Sequence, residues 1–123
     1  MARILFVDDE PSIRFFYSEI LGDNGYDVLE AQSGDEAMQF IQSEPLDLVV
    51  LDIKLGSQNG LGVLQQIVSS NPRLPIILLT AYTSFQDDYT SWLAESYVVK
   101  SGDPSEFLGE VDHVLKKTEK KEE

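Results

Sequence analysis

The sequence contains no cysteine and a single histidine, His113. The first absence removes disulfides, thiolate metal sites and thiol nucleophiles; the second leaves too few imidazoles for a histidine-built metal site or a catalytic dyad. Long apolar runs are missing as well. The longest, at residues 4–7, 48–51 and 76–79, are four residues each, against about 20 for a helix that crosses a bilayer. The chain reaches Asp8, Asp9 and Glu10 straight after one such run, without the apolar stretch of about 7 to 15 residues that a secretory signal needs. A cytoplasmic protein with no membrane contact is the expectation. Positive charge is scarce: nine Lys and Arg stand against 22 Asp and Glu, a net charge of −13, and Lys116, Lys117, Lys120 and Lys121 lie in the last eight positions. The five basic and 19 acidic residues of positions 1–115 repel nucleic acid and anionic lipid, so direct nucleic-acid binding is not expected.

What is present suits one globular domain. With 123 residues, 42% of them hydrophobic, the chain can bury a single core, and residues 1–123 are read as one domain whose positions 118–123 form a frayed, charged tail. Short runs of Val, Ile and Leu alternate with stretches of helical period, the pattern of an α/β protein with a five-stranded parallel sheet and helices on both faces. The predicted strands are 3–7, 26–30, 47–51, 75–80 and 97–100. The first helix starts at Pro11 and presents Ile13, Phe16, Tyr17 and Ile20 on one face, with Gly22 or Gly25 ending it. Ser33 and Glu36 form a capping box for a helix burying Ala37, Phe40 and Ile41. Asn59 or Gly60 opens a third helix carrying Leu61, Leu64, Ile67 and Val68, and Asn71 with Pro72 stops it. Ser84 is the predicted cap of a fourth helix with Asp87 and Asp88 in its first turns. Asp103, Pro104 and Glu106 begin the last, whose buried stripe is Phe107, Val111, Val114 and Leu115.

Open α/β sheets place their sites at the carboxyl ends of strands, and the polar residues there are Asp8 and Asp9 after the first strand, Asp52 after the third, Thr80 after the fourth and Lys100 at the end of the fifth. If those four strands are neighbours, three carboxylates, a hydroxyl and an ammonium share one rim. Clustered carboxylates repel unless a divalent ion sits among them, and oxygen donors without His or Cys favour Mg²⁺ or Mn²⁺. A hydroxyl and a lysine opposite suit the oxygens of a phosphoryl group. Each feature has a plainer reading by itself: Asp8 and Asp9 as caps of the first helix, Thr80 as a turn hydroxyl, Tyr97 as core, Lys116 to Lys121 as a solvated helix end.

The run ILFVDDEP at 4–11, LDLVVLD ending in Asp52 with Gly60 eight residues on, Thr80-Ala81 closing IILLTA, and Tyr97-Val98-Val99-Lys100 together resemble the response-regulator receiver domain, the CheY-like (βα)5 flavodoxin-like fold of two-component signalling. The resemblance covers residues 2 to about 115. It implies that Asp52 accepts a phosphoryl group from a histidine kinase or phosphotransfer protein, and that Asp9 ligates Mg²⁺ directly, Asp8 through water and the Lys54 backbone carbonyl alongside. It further implies that Thr80 and Lys100 hold phosphoryl oxygens, that Tyr97 is the switch aromatic responding to Thr80, that Ala81 leaves room for the phosphoryl, and that Lys54 and Tyr82 govern its access to water and its lifetime. A downstream protein partner would read the face of the fourth helix, fifth strand and fifth helix.

Three departures from the family stand out. Lys100 is followed by Ser101 and Gly102 where the family has a proline in a cis peptide; a cis Lys100–Ser101 bond would cost about 2.5 to 4 kcal/mol. The loop after Asp52 has Leu55-Gly56 in place of Met-Pro, which predicts a looser loop. The interval from Thr80 to Lys100 is about two residues short, which predicts a shortened or displaced fourth helix. Phe85, Tyr89 and Trp92 are then either core residues or include an exposed partner anchor. Two other functions compete with the phosphoacceptor: a Mg²⁺-dependent phosphohydrolase of the haloacid-dehalogenase type, which needs its nucleophile after the first strand and an aspartate where Glu10 stands, and a receiver-like module that works without phosphate.

Overall fold

The computed structural model describes residues 2–81, 89–101 and 103–122. Five parallel strands, β1 (Arg3–Val7), β2 (Asp27–Ala31), β3 (Leu48–Leu51), β6 (Ile76–Thr80) and β7 (Ser96–Val99), form one sheet in the order β2-β1-β3-β6-β7. The helices are α1 (Pro11–Asp23), α2 (Gly34–Ser43), α3 (Gly60–Ser70) and α4 (Ser105–Glu122). Strand alternation sorts the apolar side chains into two cores. Leu5, Val7, Val49, Leu51, Ile76 and Leu78 pack with Ala37 and Ile41 of α2 and Leu64 and Ile67 of α3. Their neighbours Ile4, Phe6, Leu48, Val50, Ile77 and Leu79 pack with Tyr17 and Leu21 of α1 and Phe107, Val111 and Val114 of α4. Central strands buried on both faces have no polar side to show, which is why they read as unbroken apolar runs.

The caps are largely where the sequence places them. Ser33 Oγ accepts from the Glu36 N–H at 3.2 Å, and Asn59 Oδ1 from the Leu61 N–H at 2.9 Å. Gly25, at φ +88°, takes the chain out of α1, and Asn71 caps the C-terminus of α3.

Two expectations are corrected. Phe16, predicted on the buried face of α1, is 41% exposed, and Leu21 is buried in its stead. The helix turns 100° per residue, and the stripe that meets the sheet runs through Tyr17 and Leu21, four residues apart. The loop after Asp52 is not loose: β4 (Lys54–Leu55) and β5 (Gln58–Asn59) pair antiparallel around Gly56, whose φ of +60° suits glycine. Within the span of the fourth helix, expected to be shortened or displaced, the described residues form a 3₁₀ helix, Tyr89–Leu93. The backbone of α4 is helical to Glu122. Ser84, Phe85, Asp87 and Asp88 lie outside the described residues.

Candidate functional site

Asp8, Asp52 and Lys100 each sit one residue past a strand, yet the sheet still holds their backbones. The Asp8 N–H donates to Ala31 O at 3.1 Å, the Asp52 N–H to Val7 O at 3.1 Å and the Lys100 N–H to Thr80 O at 2.7 Å. Because β1 and β3 are adjacent while their connections leave in opposite directions, this rim is the switch point of the sheet. The side chains converge as the sequence predicts. Lys100 Nζ donates to Asp8 Oδ2 at 2.8 Å and to Asp52 Oδ2 at 2.9 Å.

The remaining carboxylate oxygens are held as well. Asp8 Oδ1 accepts from the Glu10 N–H at 2.9 Å, and Asp52 Oδ1 from the Lys54 N–H at 3.3 Å. Asp8 and Asp52 are 1% and 6% exposed, whereas Asp9 faces solvent. One carboxylate oxygen from each of the three lies within 4.8 Å of the others. Three hard oxygen donors at that spacing, one of them open to solvent, fit a small divalent cation such as Mg²⁺. Asp8 and Asp9 do not act as side-chain caps of α1: its N-cap is Glu10, which makes no side-chain cap bond, and Pro11 fills the first turn.

Burial pushes the Asp52 carboxyl above the ordinary carboxylate range, against the pull of the Lys100 ammonium; Asp8 pushes in the same direction as burial. For Lys100, burial favours the neutral amine, but the bonds to Asp8 and Asp52 outweigh it and leave the ammonium more basic than usual. Lys100 is therefore charged where Asp52 gives up its proton, and loses its own only above the ordinary lysine value.

Thr80 ends β6 on the same rim and is fully buried; Ala81 after it is exposed. Tyr97 pairs in register with Leu78, two rungs behind Thr80, and is half-buried against the core on the α2 and α3 side. The Lys54 side chain is exposed, and its backbone belongs to β4. Tyr82 lies outside the described residues. The Lys100–Ser101 peptide is trans, since no cis bond occurs among the described residues. Trp92 is 63% exposed, which sets aside the reading of it as core, and His113 is exposed on α4.

Three contributors escaped the sequence reading. Arg14 Nη1 donates to Asp8 O at 2.7 Å, fixing the turn from behind. Gly56 lies beside Asp9: a Cβ there would sit 3.7 Å from Asp9 Oδ2. Gln58 Oε1 accepts the first N–H of α2, from Gly34, at 2.8 Å. The scarcity of positive charge was a usable signal for Arg14, because two of the five basic residues before position 116, Arg14 and Lys100, bring their charged groups to this rim.

Residues 4–112 match the response regulator receiver domain family. The chain is 37% identical over 120 residues to a probable transcriptional regulator, ycf27, of Porphyridium aerugineum, covering 96% of this chain and 50% of that protein. It spans about half the length of the curated relatives it matches first. A crystal structure of the response regulator protein TrrA from Thermotoga maritima in complex with Mg²⁺-BeF superposes with a TM-score of 0.90 at 42% identity, covering 93% of this chain and 99% of that one. The same regulator in complex with the histidine kinase ThkA gives a TM-score of 0.88 at 43% identity, covering 94% and 99%. No helix among the described residues is long and apolar enough to cross a membrane.

Proposed function

This chain belongs to the response regulator receiver domain family, and from that premise we propose that Asp52 is its phosphoacceptor, charged by the phosphohistidine of a histidine kinase or of a phosphotransfer protein. The observation that carries this reading is the position of Lys100 Nζ, within 2.9 Å of both Asp8 Oδ2 and Asp52 Oδ2, with Asp9 on the same rim. An Asp52 carboxylate oxygen forms a P–O bond as the P–N bond of phosphohistidine breaks. The imidazole nitrogen keeps the electron pair, and with the ring's other nitrogen protonated in the phosphohistidine the products are an acyl phosphate and a neutral histidine. Lys100, already oriented and charged, turns from the carboxylate toward an incoming phosphoryl oxygen, and the Thr80 hydroxyl holds another. The Lys54 N–H steadies the opposite carboxylate oxygen.

Asp9 would ligate Mg²⁺, or Mn²⁺ in its place, directly; Asp8 would act through water, and Asp52 with the Lys54 carbonyl would complete the protein donors. When bound, that cation supplies neutralisation of the charge on the transferring phosphoryl. Ala81 leaves space beside Thr80, and Lys54 and Tyr82 shield the acyl phosphate from water. Tyr97 follows Thr80 as the switch aromatic. A downstream protein reads the face carrying Trp92, β7 and α4. Receiver domains are signalling modules rather than enzymes, so the phosphohydrolase alternative is dropped. The regulator solved with ThkA supports a kinase as the donor.

The test is transfer from an autophosphorylated histidine-kinase fragment. Label is expected to move to the wild-type chain and to stay on the kinase with Asp52→Asn. Equal transfer to both chains overturns the assignment of Asp52.

A further inference from the structure

We propose that Gln58 is a positioning residue for the cation side of the site, acting through the β4–β5 hairpin. The inference rests on the reading of Asp9, Asp52 and the Lys54 carbonyl as the Mg²⁺ donors. The hairpin is two residues per strand, too short to hold its shape by its own ladder. It is tied down from outside at three points. Its Lys54 N–H donates to Asp52 Oδ1 at 3.3 Å, and Asn59 Oδ1 caps α3 through the Leu61 N–H at 2.9 Å. The third tie is the long-range one: Gln58 Oε1 accepts the Gly34 N–H at 2.8 Å, joining the hairpin to the start of α2 across 24 positions.

The geometry around that bond is tight. A Cβ at Gly34 would come within 2.6 Å of Val63 Cγ2 and 3.0 Å of Gln58 Oε1, so glycine is what lets the amide and the glutamine meet. The donor is one of the N–H groups that a helix start leaves without an intrahelical partner, and Ser33 Oγ meets another. Gln58 is opposite Leu55 in the ladder, and Asn59 is opposite Lys54, the residue whose carbonyl faces the cation in this reading. Releasing Gln58 therefore loosens the strand paired with Lys54 without undoing the bonds of Lys54 to Asp52 and of Asn59 to α3, while Asp8, Asp52 and Lys100 remain held by the main sheet. Gln58 touches neither cation nor phosphoryl and works only through the backbone it holds.

The test compares Gln58→Met, which keeps the side-chain size and removes the acceptor, with Gln58→Glu, which keeps an acceptor at a helix N-terminus where negative charge is favourable. Mg²⁺ affinity is read by calorimetric titration of the chain with the metal alone, and the Gly34 and Lys54 amides by hydrogen exchange. Losing a group bonded directly to a metal ligand costs about 10- to 100-fold in affinity. Gln58 acts one step further out, so Gln58→Met is expected to weaken Mg²⁺ by about three- to tenfold and to speed exchange at both amides. Gln58→Glu should bind at least as tightly as wild type. Wild-type affinity in Gln58→Met overturns the proposal, as does equal weakening in both variants, which would mark a packing effect. A wild-type chain that binds no Mg²⁺ overturns the metal reading beneath it.

Discussion

The Lys100 ammonium lies 2.9 Å from Asp52 Oδ2, with 15% of the lysine side chain and 8% of the aspartate side chain exposed. Both charges have given up most of their water, so the pair persists only because its remaining bonding capacity is used: a second carboxylate, Asp8, takes another Nζ proton at 2.8 Å. The sequence alone presents three mutually repelling carboxylates. In the folded chain two of them share one cation from the protein itself, and the repulsion a metal would relieve falls mainly on Asp9.

Replacing Lys100 by Met leaves two buried carboxylates uncompensated, and breaking a buried pair in this way costs about 3 to 5 kcal/mol. Urea unfolding is expected to show a loss of that order at neutral pH, shrinking as acid protonates the carboxylates. The wild type should behave oppositely in alkali. Its lysine is more basic in the folded chain than the ordinary 10.5, so the stabilisation is complete below that value and is lost as pH rises through the folded pKa. Asp52 carries the same sign in a different window: its carboxyl is also raised in the folded state, so its contribution is complete in acid and is lost as pH rises from the ordinary carboxylate value through the folded one. An alkaline loss of equal size in Lys100→Met would remove Lys100 as the cause.

Mg²⁺ is expected to raise the melting temperature, since a ligand at about 100 times its dissociation constant stabilises by about 2.7 kcal/mol. Asp9→Ala should lose most of that response while changing the metal-free melting temperature little, because Asp9 is exposed and Lys100 already bridges the other two acids. Equal Mg²⁺ responses in the two chains would contradict the role of Asp9.

Gly60 stands where α3 begins, directly under the site residue: a Cβ there would collide with Asp52 O and press on Ile53. Backbone cannot yield as a side chain end can, so Gly60→Ala should cost about 1 to 3 kcal/mol of stability. It should also displace Asp52 enough to slow phosphorylation. A variant with wild-type stability and rate would show that the backbone relaxes at no cost.

How far the sequence reveals this arrangement depends on the range of the interactions. The strands were legible to within a residue because β1, β3 and β6 are buried on both faces and leave only apolar residues there. Asp8, Asp52 and Lys100 were legible because strand ends in a parallel sheet are brought together by topology. What could not be read depends on contacts across space. Gln58 meets Gly34 over 24 positions, Arg14 reaches the carbonyl of Asp8, and the β4–β5 hairpin forms where the missing proline implied looseness. The exposure of Phe16 was hidden because helical period defines a stripe but not its rotation against the sheet.

Trp92, exposed in the 3₁₀ helix that precedes β7 in the chain, offers a reporter of the proposed output face. Its emission is expected to be that of a hydrated indole and to be quenched readily by acrylamide. Quenching should fall when beryllofluoride and Mg²⁺ are added if the switch draws this segment inward. Quenching that is low from the outset would contradict the exposure, and quenching that never changes would detach this face from the switch.

The most direct measurement is the intact mass of the chain after incubation with a small acyl-phosphate or phosphoramidate donor. With Mg²⁺, the wild type should gain one phosphoryl group, lose it on chelation of the metal before donor is added, and show no gain as Asp52→Asn. An undiminished mass shift in Asp52→Asn, or labelling that survives the chelator, would contradict Asp52 as the metal-dependent phosphoacceptor.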